Sequence, residues 1–182
     1  AAVACPGTEC RWGLIPTQKL AQQLARLADK YGQLPGKLKV AATGCPNACA
    51  KPLENDFGVM GKTGKKLDEK RCTLCGACVK QCPVKAISIS GKKLRVDTKL
   101  CLDCGKCVKV CQQSAWIKTQ AQYAIYVGGK MGRLPLLGQR WPQTPTTIAE
   151  VLRILKSVAD WYIAHGQPKE RLADTIRRVG WK

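Results

Sequence analysis

The chain contains the sequence Cys45-Pro46-Asn47-Ala48-Cys49, preceded by the related motif Cys5-Pro6-Gly7-Thr8-Glu9-Cys10. A single CxxxC pair is a weak signal, because two thiols do not define a site. Here the two motifs supply four cysteines, and eight more follow in two regular sets. The chain is therefore expected to fold around cysteine-ligated metal centres.

The two regular sets have the same spacing, CxxCxxCxxxC. The second begins 29 positions after the first, and Gly76 and Gly105 occupy equivalent places. Thiolates at this spacing are ligands of [4Fe–4S] clusters, and in two-cluster ferredoxins the fourth cysteine of each run serves the other cluster. The predicted ligands of one cluster are Cys72, Cys75, Cys78 and Cys111, and those of the other are Cys101, Cys104, Cys107 and Cys82. A pair of zinc sites is the alternative, although zinc ribbons separate their CxxC pairs more widely.

Four cysteines remain, which is the number that one further cubane cluster requires: Cys5, Cys10, Cys45 and Cys49. Disulfides between them are the alternative. Twelve cysteines, no recognisable leader and no apolar run long enough to span a bilayer favour a metal protein of the cytoplasm over a secreted disulfide scaffold.

The formal net charge of +19 is typical of proteins that bind nucleic acid or a membrane surface. Aromatic residues make up only 5% of the chain, and no basic helix with interleaved aromatics is present, so neither nucleic-acid binding nor membrane insertion is expected. Thiolate-ligated clusters are anionic. We therefore expect the basic residues to balance cofactor charge and to attract an acidic electron donor or partner subunit.

The pattern of apolar residues predicts a mixture of helices and strands. A helix is expected from Thr17, strands over 38–42, 57–60 and 123–127, and a hairpin across Gly91-Lys92. Residues 61–66 predict a flexible basic connector in which Lys62, Lys65 and Lys66 are solvated, with a docking patch for a donor as the sharper alternative. A capping box of Thr147 and Glu150 predicts a C-terminal helix, and a second helix follows Pro168.

Taken together, CPGTEC (5–10), GCPNACAKP (44–52), the inserted two-cluster module and YAIYVGGKMGRLPLLG (123–138) resemble the C-terminal half of sirohaem sulfite and nitrite reductases. The inserted module makes the chain similar to the dissimilatory and anaerobic sulfite reductases in particular. The resemblance implies an α+β fold in four segments: 1–66 as the first part of a sirohaem/[4Fe–4S] domain, 67–118 as the inserted ferredoxin module, 119–145 as the return to the first domain, and 146–182 as a C-terminal helical pair.

The resemblance also implies roles for individual residues. Cys5, Cys10, Cys45 and Cys49 would hold a third [4Fe–4S] cluster, and Cys49 would bridge it to the sirohaem iron. Asn47 would donate a hydrogen bond to a sulfur, or else be an ordinary turn residue. The remaining implied sirohaem contacts are the backbone of Gly128, Gly129 and Gly132 and the cations Lys130 and Arg133; an ordinary glycine turn with solvated charges is the alternative.

The implied function is that of a sulfite reductase component. Electrons would pass through three [4Fe–4S] clusters to sirohaem, where sulfite undergoes six-electron reduction to sulfide. Nitrite reduction by the same family and a non-catalytic three-cluster electron carrier are the alternatives. Two departures matter: Cys5 and Cys10 are one residue closer than is common in the family, and the N-terminal half that supplies most substrate-binding cations is not in this sequence. A second half or subunit completing the sirohaem site and an electron-donor protein are the expected partners.

Overall fold

The fold was analysed in a computed structural model that describes residues 1–181. The chain divides into two compact units. The first unit combines Ala1–Gly61 with the chain from Gln122 onward, and the second comprises Lys62–Ala121. The fold is α+β, as the sequence predicts.

The described residues contain nine strands and five α-helices. The strands are β1 (Ala2–Ala4), β2 (Val40–Thr43), β3 (Phe57–Lys62), β4 (Lys65–Leu67), β5 (Ile87–Ser90), β6 (Lys93–Val96), β7 (Trp116–Lys118), β8 (Gln122–Val127) and β9 (Gln139–Arg140). The helices are α1 (Thr17–Asp29), α2 (Ala77–Gln81), α3 (Lys106–Val110), α4 (Ile148–His165) and α5 (Leu172–Val179). None of these helices is long and apolar enough to cross a membrane.

The first unit is built on a five-stranded sheet in the order β1-β2-β3-β8-β9. Strands β1, β2 and β3 run parallel, whereas β9 pairs antiparallel with β8. All four residues of β2 are buried, as expected for a central parallel strand covered on both faces. Helix α1 packs on β1 and β2 and buries Leu20 and Leu24.

The C-terminal helices complete the first unit. Helix α4 contacts both α1 and α5, so the predicted helical pair packs in this unit. The predicted capping box is confirmed: the Glu150 backbone N–H donates to Thr147 Oγ1, and the Thr147 backbone N–H donates to the Glu150 carboxylate. Tyr162 on α4 is fully buried and donates its hydroxyl to the Glu170 carbonyl.

The second unit consists of two small antiparallel sheets and two short helices. Strand β4 pairs with β7, and β5 pairs with β6 in the predicted hairpin. The internal repeat is visible in the backbone, since residues 29 positions apart share left-handed φ angles: 56° at Leu74 and 53° at Asp103, then 77° at Gly76 and 74° at Gly105. Buried residues of both copies meet in one core of Cys78, Ile87, Cys107 and Trp116.

The predicted flexible connector at 61–66 is wrong. Strand β3 extends to Lys62, and β4 begins at Lys65 and pairs with β7, so this stretch is ordered by main-chain hydrogen bonds. The second unit accordingly extends over Lys62–Ala121, beyond the 67–118 expected for the inserted module. A short 3-10 helix, Pro52–Glu54, precedes β3.

Candidate iron–sulfur centres

Parallel pairing of β1 and β2 brings two of the first unit's cysteines to the same edge of the sheet. Cys5 directly follows β1, and Cys45 lies two residues beyond β2. The register pairs Ala4 with Ala42, and the Cys5 backbone N–H donates to the Ala42 carbonyl at 3.2 Å. Since neighbouring parallel strands end at the same edge, both thiols lie there together.

The Cys5 thiol is surrounded by hydrogen-bond donors. The Gly44 backbone N–H lies 3.0 Å from Cys5 Sγ, and Thr43 Oγ1 lies 3.7 Å from it. Burial raises the pKa of Cys5, but the backbone N–H groups of Gly44 and Gly7 and these side-chain contacts outweigh it, so the pKa is lowered. The environment therefore favours the thiolate, which is the form that binds iron.

The other three cysteines of the first unit act electrostatically on Cys45. Burial is the largest cause of its raised pKa, and negative charge on Cys49, Cys5 and Cys10 raises it further. The backbone N–H of Asn47 opposes these effects by donating to the thiol. The four cysteines predicted to hold the third cluster, Cys5, Cys10, Cys45 and Cys49, are here named the Cys5 set; Cys45 is buried and Cys49 is exposed.

Close glycine packing brings the loops of the Cys5 set together, a feature that sequence reasoning missed. A Cβ on Gly13 would lie 1.7 Å from the Gly7 carbonyl oxygen. A Cβ on Gly44 would lie 3.2 Å from Gly7 Cα and 3.6 Å from Cys5 Sγ. Only backbone atoms fit between these loops. Gly44, directly before Cys45, was the feature of the sequence that could have indicated this close packing.

In the second unit, one cavity is lined by the first predicted ligand group, here named the Cys72 set: Cys72, Cys75, Cys78 and Cys111. The cavity brings the last cysteine of the second run beside three cysteines of the first run. Its other walls include the apolar side chains Leu74, Leu94 and Trp116. Trp116 Nε1 is buried without a hydrogen-bond partner in the described residues. Burial raises the pKa of Cys78, and the nearby Trp116 indole N–H opposes part of that shift.

The second predicted ligand group, here named the Cys101 set, comprises Cys101, Cys104, Cys107 and Cys82. The pKa of Cys107 is raised to about 11, chiefly by burial and further by Cys101 and Cys104. Cys82 packs against the same core as Cys107 and accepts the Ala86 backbone N–H at 3.2 Å. The equivalent contact in the other copy is the Ala115 N–H to Cys111 Sγ, at 3.3 Å.

Lys65 is not the solvated linker residue that the sequence predicts. Its side chain is only 10% exposed and forms an ion pair with Asp103. Lys65 Nζ also lies 3.4 Å from Cys101 Sγ. Burial lowers the pKa of Lys65, but Asp103 and Cys101 more than offset this and raise it, so the ammonium persists beside the Cys101 set.

The chemistry of these three groups fits [4Fe–4S] clusters better than disulfides. All twelve cysteines are free. Backbone N–H groups point at Cys5 and at the fourth cysteine of each repeat, and a buried indole N–H without an aligned acceptor lies beside Cys78. Cluster-bound sulfur accepts such donors. Within residues 1–181, no three or more His, Cys, Asp or Glu side chains are arranged to hold a single metal ion.

The glycine segment after β8 is engaged by the protein itself. The Gly128 and Gly129 N–H groups donate to the carbonyls of Asp56 and Asn55 at 2.8 and 3.0 Å. Lys130 Nζ lies 2.6 and 2.7 Å from the two carboxylate oxygens of Asp174 on α5. Gly132 and Arg133 are exposed. Four of the residues predicted to contact sirohaem therefore face solvent: Asn47, Cys49, Gly132 and Arg133.

A buried ion pair that sequence reasoning missed lies beside this segment. Asp56 is fully buried and binds Arg171 through both carboxylate oxygens, with Nη2–Oδ2 and Nε–Oδ1 distances of 2.6 and 3.3 Å. Burial raises the pKa of Asp56, while Arg171 and the Lys39 backbone N–H oppose the shift. The pair joins α5 to the start of β3.

Comparison with known proteins places these features in a family. The family model described as the nitrite and sulphite reductase 4Fe-4S domain matches residues 1–182. The coenzyme F420-dependent sulfite reductase of Methanocaldococcus jannaschii is 37% identical over 186 residues, covering 100% of this chain and 29% of that protein. One of the subunits of the anaerobic sulfite reductase of Salmonella typhimurium is 37% identical over 86 residues, covering 47% of this chain and 25% of that protein.

The crystal structure of dissimilatory sulfite reductase I shares the fold, with a TM-score of 0.71 at 22% identity, covering 98% of this chain and 49% of that one. The chain thus spans between a quarter and a half of the length of these relatives. Because the family model covers the whole sequence, the chain belongs to the nitrite and sulphite reductase 4Fe-4S domain family.

Proposed function

We propose that the chain is the electron-delivering component of a sirohaem sulfite reductase and holds three [4Fe–4S] clusters. The placement of Cys5 and Cys45 at the same edge of the sheet carries the proposal, because it provides a thiol group outside the two ferredoxin-like runs. The whole-chain similarity to a protein named a sulfite reductase supports it. That similarity also favours sulfite over nitrite as the substrate, although the family description includes both.

The three cysteine groups would each hold one cluster, the Cys72 and Cys101 sets in the second unit and the Cys5 set in the first. When bound, the clusters supply one-electron transfer, and sirohaem supplies the metal at which sulfite is reduced to sulfide. The protein favours the thiolate of Cys5 and donates backbone N–H groups to the sulfurs of Cys5, Cys82 and Cys111. Because thiolate ligands require reducing conditions, we place the chain in the cytoplasm.

Cys49 would join the third cluster to sirohaem, since it is the exposed member of the Cys5 set. Asn47 would act through its backbone N–H, which faces Cys45. Gly132 and Arg133 would meet the macrocycle, whereas Lys130 would have to exchange Asp174 for a cofactor carboxylate. Gly128 and Gly129 would shape this edge of the site through their packing on 53–56. A second half or subunit would supply the substrate-binding cations, and a donor protein would supply electrons.

The test is anaerobic purification of the chain, together with the proposed second half or subunit, from a host that makes sirohaem. We expect about twelve iron atoms per chain and tetrapyrrole absorption bands above the cluster absorbance. Two exposed cysteines give matched variants. Cys49→Ser should abolish the tetrapyrrole bands, whereas Cys75→Ser should lower the iron content of the second unit and leave those bands in place.

Zinc in place of iron, or equal tetrapyrrole loss in both variants, would contradict the proposal. Three clusters without any tetrapyrrole would instead identify a non-catalytic electron carrier. If the tetrapyrrole is present, oxidation of a reduced viologen dye by sulfite and by nitrite would distinguish the two substrates, and faster turnover is expected with sulfite.

A further inference from the structure

The two ferredoxin-like cysteine groups have the same local backbone conformation but differ in the side chains around them. Leu74 and Asp103 occupy equivalent positions 29 residues apart, with φ angles of 56° and 53°. Leu74, together with Leu94 and Trp116, lines an apolar cavity at the Cys72 set. Asp103 instead places a carboxylate at the Cys101 set and pairs with the buried ammonium of Lys65. The repeat therefore surrounds one group with apolar side chains and the other with an ion pair.

We propose that the Lys65–Asp103 pair raises the reduction potential of the cluster held by the Cys101 set. The inference rests on the proposed function, because it requires that both groups bind clusters. Reduction adds one electron from an external low-potential donor, and no bond to the protein forms or breaks. A fixed positive charge stabilises the more negative reduced state, and so do N–H donors to the ligand sulfurs.

Whether the pair raises or lowers the reduction potential depends on which of its two charges acts more strongly on the cluster. Lys65 Nζ and Asp103 Oδ1 each lie 3.4 Å from Cys101 Sγ, so distance alone does not decide it. The side chain of Lys65 is 10% exposed and that of Asp103 is 39% exposed, so water screens the carboxylate more than the ammonium. The ammonium therefore dominates, and the potential rises.

The position of Lys65 on β4 explains how the charge is held. Side chains alternate along a strand, so Lys65 and the next residue, Lys66, point to opposite faces. Lys65 is turned toward the Cys101 set, whereas Lys66 is exposed. Lys66 is therefore a control of equal charge, one position away.

The experiment is a potentiometric titration of the complete, cluster-loaded chain, followed by electron paramagnetic resonance. In Lys65→Gln, one of the three reduction steps should move to lower potential by at least tenfold in its equilibrium constant, which is 59 mV for one electron. In Asp103→Asn, the same step should move upward, because the ammonium then acts unopposed. Lys66→Gln should leave all three steps in place.

The outcomes separate the inference from the function on which it rests. A wild-type chain without three cluster signals would overturn the proposed function. Three signals with unmoved steps, or a Lys65→Gln step that moves upward, would overturn only the inference. If Lys65→Gln loses the cluster, Lys65→Arg keeps the positive charge at this position. Asp103→Asn, at a side chain that is 39% exposed, still tests the sign. A reduction potential that falls or does not change in Asp103→Asn refutes the role of the pair.

Discussion

Gly129 lies where no side chain has room, because the turn at 52–55 packs against its backbone. A Cβ at this position would lie 2.2 Å from the Leu53 carbonyl oxygen and 2.6 Å from that of Asn55. The resemblance implies that the backbone approaches the sirohaem macrocycle here, but the sequence does not reveal that the turn at 52–55 also packs against Gly129. That turn and Gly129 are separated by more than 70 residues.

Gly129→Ala should therefore destabilise the first unit by about 1–3 kcal/mol, because the new methyl group meets backbone atoms that cannot move aside. Anaerobic urea unfolding followed by circular dichroism would measure the change. Gly32→Ala is the matched control, since no heavy atom lies within 4 Å of its added Cβ. Equal stability of the two variants would show that Gly129 has another role.

Cysteine positions were the part of the candidate site that sequence could predict, because ligand spacing follows directly from the geometry of a cluster. The residues that adjust those ligands were not predictable in the same way. Lys65 and Cys101 are 36 positions apart, and Trp116 and Cys78 are 38 positions apart. Such pairs depend on the pairing of β4 with β7 and on the packing of the two repeats, and neither leaves a local pattern.

Among the elements, α5 is held to the rest of the first unit by two ion pairs. Its buried residues are Leu172, Ala173 and Thr175, so an eight-residue helix has little apolar surface to hold it. Arg171, its N-cap residue, reaches Asp56 at the start of β3, and Asp174 within the helix binds Lys130. These contacts explain how a short terminal helix remains attached to the sheet.

Asp56→Asn should destabilise the first unit by about 2–3 kcal/mol, because Arg171 would lose its charged partner while remaining largely buried. The value lies below the range for fully buried pairs, since 24% of the Arg171 side chain is exposed. Asp160→Asn is the control: its partner Lys156 and Asp160 itself are 63% and 49% exposed, and the loss should stay below about 1 kcal/mol. Denaturant midpoints measured side by side would decide, and similar losses would contradict this role of Asp56.

Prediction of the elements succeeded for the main helices, three strands of the sheet and the hairpin, and it failed at the connector. Helix α1 begins at Thr17, as its helical periodicity indicates, and α4 begins after its capping box. The connector at 61–66 was misassigned because Gly61, Gly64 and three lysines are typical of a mobile linker. Pairing of β4 with β7 overrides that local preference, and it joins residues about 50 positions apart.

At the scale of the whole molecule, the second unit is an insertion between β3 and β8, which are neighbours in the sheet of the first unit. The chain enters and leaves this unit at adjacent points. The Thr119 backbone N–H donates to the Gly64 carbonyl at 2.8 Å, and Lys65 pairs with Lys118. A short turn between Gly64 and Thr119 can therefore replace everything between them.

Replacing residues 65–118 with the turn Asn-Gly should leave the first unit folded, because its sheet and its Cys5 set lie entirely outside the removed segment. The shortened chain should bind about four iron atoms instead of about twelve, and Cys45→Ser in it should remove them. Iron analysis and circular dichroism after anaerobic purification would measure both. A shortened chain that folds but binds no iron would mean that Cys5, Cys10, Cys45 and Cys49 do not form a cluster site by themselves, and the third cluster of the proposed function would then have to be abandoned.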